Sequence, residues 1–190
     1  MCTGKCAHCI AVTLYPLVLL SIICNIILFF PGWDIKYAKE GHITQEVKYM
    51  GGLVGGGLMV LIPALYINLT GEHGCCGNRF GMFVSIAFAA VGVAGAVYSF
   101  AVAVLGLDNG PLCKIDGHWS TPFETSNSPD LFDKNSWGNC TEPENVVQFN
   151  IGLFGTLMAA SCLQALLCAS QMLNGFFGCL FGTCAKKEEP

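Results

Sequence analysis

Three groups of residues in this sequence could do chemistry, and each would do a different kind. The stretch "GGLVGGG", residues 51–57, puts five glycines into seven positions, the density of a loop that cradles phosphate. A P-loop, however, ends in Gly-Lys-Ser or Gly-Lys-Thr, and a dinucleotide fingerprint reads G-x-G-x-x-G. No lysine follows Gly57, and the spacing fits neither pattern. The four histidines, His8, His42, His73 and His118, are scattered over separate segments. No serine sits in a nucleophile elbow, and a lone loop histidine reads as a solvated side chain rather than a base. Twelve cysteines remain. Cys6-x-x-Cys9 with Cys75-Cys76 invites a zinc reading, but structural zinc wants a second spaced pair, which is missing. These patterns assign no catalytic residue, no metal and no cofactor.

The elements that carry these residues explain why. Of 190 residues, 53% are hydrophobic and only 12% charged, with a mean hydropathy of +0.56. A soluble domain is about 25% charged, because it has a surface to solvate. A net charge of −4 also disfavours a nucleic-acid partner, which calls for a basic surface. Four intervals lack any Asp, Glu, Lys or Arg: 6–33, 49–71, 80–107 and 145–185. A helix needs about 20 apolar residues to cross a hydrocarbon core of roughly 30 Å. The intervals predict four spans at 10–30, 49–69, 82–105 and 147–170, all helical because backbone in lipid must bond internally. The fold class is therefore an all-α four-helix membrane bundle, one domain over 1–190. The first span is read as a membrane helix rather than a cleaved signal, since its apolar stretch is long and no small-residue cleavage site precedes "PGWDIK". The tail "NGFFGCLFGTC" is expected along the interface, with Phe176, Phe177 and Phe181 at the acyl boundary.

Inside a span, the glycines acquire a meaning. Gly51 with Gly55 and Gly52 with Gly56 form two overlapping G-x-x-x-G pairs, which let a second backbone come close. The third span answers with Ser85, Ala89, Gly92, Ala96 and Ser99, and the fourth with Gly152, Thr156 and Ala160. Asn25, Asn150, Gln164 and Gln171 are polar within the spans and are expected to bond across helices, each contributing about 0.6 kcal/mol. No ionisable side chain lies inside a predicted span, which argues against a pump or coupled transporter.

Four spans put both termini on one side. The loop over 106–145 holds seven acidic residues against Lys114 and Lys134, a net of −5, leaving +1 for the rest of the chain. It also holds Cys113 and Cys140, an even pair in a segment without a core, which reads as a disulfide in an oxidising compartment. That places the loop outside the cytosol. The sequon Asn139-Cys140-Thr141 makes Asn139 the glycan candidate, although its middle residue is the disulfide cysteine. A second sequon at Asn68 falls on the opposite face and should stay bare. Seven cysteines cluster at the face of the termini: Cys2, Cys6, Cys9, Cys75, Cys76, Cys179 and Cys184. Juxtamembrane cysteines of this kind are acylation candidates. Cys24, Cys162 and Cys168 lie within spans and read as small core residues.

The stretches "MCTGKCAHC", "GGGLMVLIPAL", "CCGNRF", "GPLC" and "WGNCTEP" together resemble the transmembrane-four L-six family, tetraspanin-like surface antigens with four spans. The resemblance implies cytosolic termini at the plasma membrane, with room for an endosomal pool, and a large extracellular loop. It also implies a non-enzymatic organiser of lateral complexes in adhesion, migration and proliferation. Its partners would be membrane lipids and other integral membrane proteins: adhesion receptors, growth-factor receptors, related four-span proteins or further copies of itself. The chain departs from the family in a shorter inner loop poorer in cysteine, and in Asn150-Ile151-Gly152, which is no sequon where one is expected. A rival reading is a sensor whose acidic loop, with Trp119 and Trp137, binds a small cation. A channel is a third.

Overall fold

The computed structural model describes residues 3–72, 79–115, 117–121, 140–143 and 145–181. Four helices in it are long and apolar enough to cross a membrane: Lys5–Leu28, Gln45–Leu69, Phe80–Asn109 and Val146–Leu180. Helix α1 (Thr3–Leu28) ends in a turn over Pro31–Trp33. There Gly32 takes a φ of +68°, and a side chain on it would meet Pro143 at 3.2 Å. Two single-turn helices follow, α2 (Lys36–Lys39) and α3 (Gln45–Lys48).

The second span is not one regular helix. Met50, at φ +50°, breaks the chain after α3, and the span then starts as a π-helical segment, Gly51–Leu58. It continues as α4 (Met59–Glu72). A π-segment has wider turns and leaves its first N–H groups unpaired, so it survives in an apolar setting only with outside partners. One such donor, Leu53 N–H, bonds the Asn25 side-chain oxygen of α1 at 2.8 Å.

Helix α5 (Arg79–Asn109) leads to a short antiparallel hairpin, β1 (Cys113–Ile115) with β2 (His118–Ser120), in register Cys113 to Ser120. Thr141 N–H returns to Lys114 C=O at 3.1 Å, and the Cys113–Cys140 disulfide closes a separation of 27 residues. The last helix, α6 (Val146–Phe181), runs 36 residues. At 1.5 Å per residue it is about 54 Å long, far beyond a hydrocarbon core of about 30 Å. This corrects the expected interfacial tail. The segment from Asn174 continues the helix, because Gly175 lets it lie on α5, where a side chain would meet Ile86 at 2.8 Å.

Up-and-down order is written in the core. Ala7, Ile10 and Leu14 of α1 pack with Ala64 and Ile67 of α4 at the end near the termini. Cys24 and Leu28 pack with Ala103, Phe154 and Leu157 at the hairpin end. Both ends of the described chain, Thr3 and Phe181, therefore share one face of the bundle.

Loop closure over this separation stabilises the hairpin face by about 3–4 kcal/mol on the chain-entropy account. Non-reducing peptide mapping should recover Cys113 and Cys140 in one linked pair. An alkylated thiol on either residue of the native protein would contradict the fold of the hairpin face.

Candidate functional site

The glycine-rich segment is closely packed against three helices. All of Gly51, Gly52, Gly55, Gly56 and Gly57 are buried. The two G-x-x-x-G pairs serve two different neighbours. A Cβ on Gly51 would meet Val102 at 2.7 Å, and one on Gly55 would meet Gly95 C=O at 2.6 Å and Ser99 N at 3.0 Å, both on α5. A Cβ on Gly52 would meet Ser21 C=O of α1 at 2.8 Å and Leu157 of α6 at 2.7 Å; one on Gly56 would meet Ser21 Oγ at 3.0 Å. Ordinary side chains have no room at any of these points.

Polar side chains bond across the same seams. Gln164 of α6, fully buried, donates from Nε2 to Gly56 C=O at 2.8 Å. Its Oε1 has no hydrogen-bond partner among the described residues. Ser161 and Ser99 hydroxyls lie 2.8 Å apart between α6 and α5. Gln171 Nε2 donates to Ser85 Oγ at 2.9 Å, and Tyr98 O–H donates to Tyr49 C=O at 2.9 Å. Near the termini, His8 Nδ1 lies 3.0 Å from Asn68 Oδ1, so the sequon asparagine there is engaged with α1. Three of the four polar span residues singled out in the sequence thus bridge helices. Asn150 instead is buried with its Oδ1 unpartnered among the described residues.

The hairpin face is a second cluster. His42 stacks flat on Trp119, ring centroids 4.0 Å apart, which ties the loop after α1 to β2. Glu46, nearly buried, accepts from Asn109 Nδ2 at 2.6 Å. Glu46, Lys48, Asp108 and Thr121 help line a cavity of about 720 Å³.

Of the acylation candidates, Cys6 and Cys9 are exposed at the start of α1 and Cys179 is half-buried near the end of α6. Cys2, Cys75, Cys76, Cys184, the glycan candidate Asn139 and Trp137 lie outside the described residues. Two other sequence readings are corrected. Cys162 faces outward, unlike the buried Cys24 and Cys168. Gly152 is exposed with nothing within 4 Å of a side chain placed there, so it packs against no helix among the described residues. Both errors have one cause: small size was taken as the sign of packing, whereas buried Asn150, Ser161, Gln164 and Gln171 mark the inward face of α6, and Gly152 and Cys162 lie off it. The sequence reading also passed over Gly95, whose Cβ would stand 2.5 Å from Met59 Cβ. Its spacing of three from Gly92 was the available signal.

The L6 membrane protein family model matches residues 1–185. The chain is similar to Transmembrane 4 L6 family member 5 of Homo sapiens, 40% identical over 194 residues, covering 100% of this chain and 98% of that one. It is 40% identical to Transmembrane 4 L6 family member 1 of Homo sapiens over 198 residues, at 100% and 98% coverage. With Transmembrane 4 L6 family member 4 of Mus musculus it shares 42% over 193 residues, at 97% and 94% coverage. No solved structure matches it.

Gly55→Leu and Gly56→Leu should each lower the thermal midpoint in detergent and reduce surface delivery, since overpacking costs about 1–3 kcal/mol; the obstacle is α5 backbone at Gly55 and the buried Ser21 and Gln164 side chains at Gly56. Gly152→Leu should leave both unchanged. Equal behaviour of the three variants would show that the close approach is not where the glycine segment places it.

Proposed function

Because the chain belongs to the L6 membrane protein family, a tetraspanin-like group of multi-pass membrane proteins, we propose that it works as a non-enzymatic organiser. It would assemble lateral complexes that affect adhesion, migration and proliferation. One observation carries this reading. Buried Ser161, Gln164 and Gln171 bond helix to helix, while large apolar side chains such as Leu19, Ile62, Val97 and Leu166 point outward. What the bundle offers its surroundings is its lateral surface, which suits lipids, adhesion or growth-factor receptors, other four-span proteins, or a second copy.

In this reading the hairpin face is extracellular at the plasma membrane, both termini are cytosolic, an endosomal pool exchanges with the surface, and Asn139 is the glycan acceptor. The seven cysteines near the termini carry acyl chains. Each buried methylene adds about 0.8 kcal/mol of membrane affinity. The helices already anchor the protein, so the chains act on partitioning and on partner choice.

The cavity on the hairpin face favours a second reading, a sensor of a small cation. Its lining carries Glu46 and Asp108 against Lys48, a net of one negative charge. Saturable binding of a labelled alkylamine to the purified protein, lost in Glu46→Gln, would support that reading over the first.

Replacing Cys2, Cys6, Cys9, Cys75, Cys76, Cys179 and Cys184 with serine should leave surface delivery near normal while dispersing co-purifying membrane proteins in mild detergent. An acyl-exchange assay that finds no thioester on the unmutated protein would end the acylation account.

A further inference from the structure

Asn150 stands in the second turn of α6 with 4% of its surface exposed. Its Oδ1 is buried and finds no donor among the described residues. A buried acceptor left unbonded is costly, and buried polar groups in folded proteins nearly always have a partner.

The surroundings explain why no protein group serves. Asn150 lines a small cavity whose wall is largely apolar, with Leu28, Ile43, Val47 and Phe149. Two further lining residues, Pro31 and Pro111, have no N–H to give. The one other polar side chain is Thr44. Thr44 occupies the N-cap position of α3, yet its side chain makes no capping bond there. Its hydroxyl is therefore uncommitted to the helix that follows it.

The volume selects the ligand. The cavity measures about 20 Å³. One water needs about 10–15 Å³ of such volume together with two or more polar partners. There is room for one water and for nothing organic.

We propose that a single structural water binds here, donating to Asn150 Oδ1 and bonding the Thr44 hydroxyl. The site lies where the end of α1, the loop ahead of the second span, the segment after α5 and the first turns of α6 converge. Val146, one turn before Asn150, packs with Cys113 in the apolar cluster beneath the disulfide. The water is thus a polar tie between the first loop and α6, within an otherwise apolar junction.

Two measurements test this on the full chain in lipid nanodiscs. A density map at about 2 Å should show one isolated peak at hydrogen-bond distance from both Asn150 Oδ1 and Thr44 Oγ1. No peak, or density too extended for one oxygen, would overturn the proposal. The second measurement turns on a sign. Val47→Ile adds one methylene at the cavity wall. Filling a dry apolar cavity would raise Tm, whereas expelling a needed water should lower it by several degrees. In an Asn150→Leu background, which removes the acceptor, the same Val47→Ile change should no longer lower Tm. A rise in Tm from Val47→Ile alone would overturn the proposal even if the double variant fails to fold.

Discussion

The close approach of the glycine-rich segment to its neighbours is the constraint on which the rest of this bundle depends. In lipid the apolar effect gives helices little reason to associate, so van der Waals packing and interhelical hydrogen bonds must do it. Gly55 and Gly95 face each other so closely that a Cβ on either would stand within 2.7 Å of the other's carbonyl oxygen. Beside that seam Tyr98 reaches the Tyr49 carbonyl, and from the other side Gln164 reaches Gly56. The second span is thereby gripped by α5 on one face and by α1 and α6 on the other.

The π-segment belongs to the same constraint. Its irregular backbone exposes N–H groups at depth, which the bilayer does not tolerate unless protein satisfies them. Asn25 does so from α1, at Leu53. Two polar residues of the spans answer that segment directly, Asn25 at Leu53 N–H and Gln164 at Gly56 C=O. At the hairpin face the same logic continues with other means, the Cys113–Cys140 bridge, the His42–Trp119 stack and the Glu46–Asn109 bond.

Much of this is legible in the chain itself. Spans can be read from intervals without charge because lipid excludes charge, and Cys113 with Cys140 stand out as an even pair in a coreless loop. The four spans and the disulfide appear where those arguments put them. What escapes is direction and ending. On α6 the inward face is marked by Asn150, Ser161, Gln164 and Gln171, and Cys162 and Gly152, which small size alone would turn inward, lie off it and look out. The continuation of α6 to Phe181 was hidden because the interval is longer than one crossing needs, whereas Gly175 and Gly178 seat the extra length on Ile86 and Met82. The break at Met50, at φ +50°, has no local signature either. The sequence names the chemistry of packing well and its geometry poorly.

The distance between the backbones of Gly55 and Gly95 decides whether the second span and α5 meet this closely in lipid. Solid-state NMR on protein reconstituted in lipid, with these two residues assigned, should show a direct carbon–carbon cross-peak between them at short mixing time. Its absence, with intrahelical glycine cross-peaks present, would contradict the claim that this contact holds the bundle together.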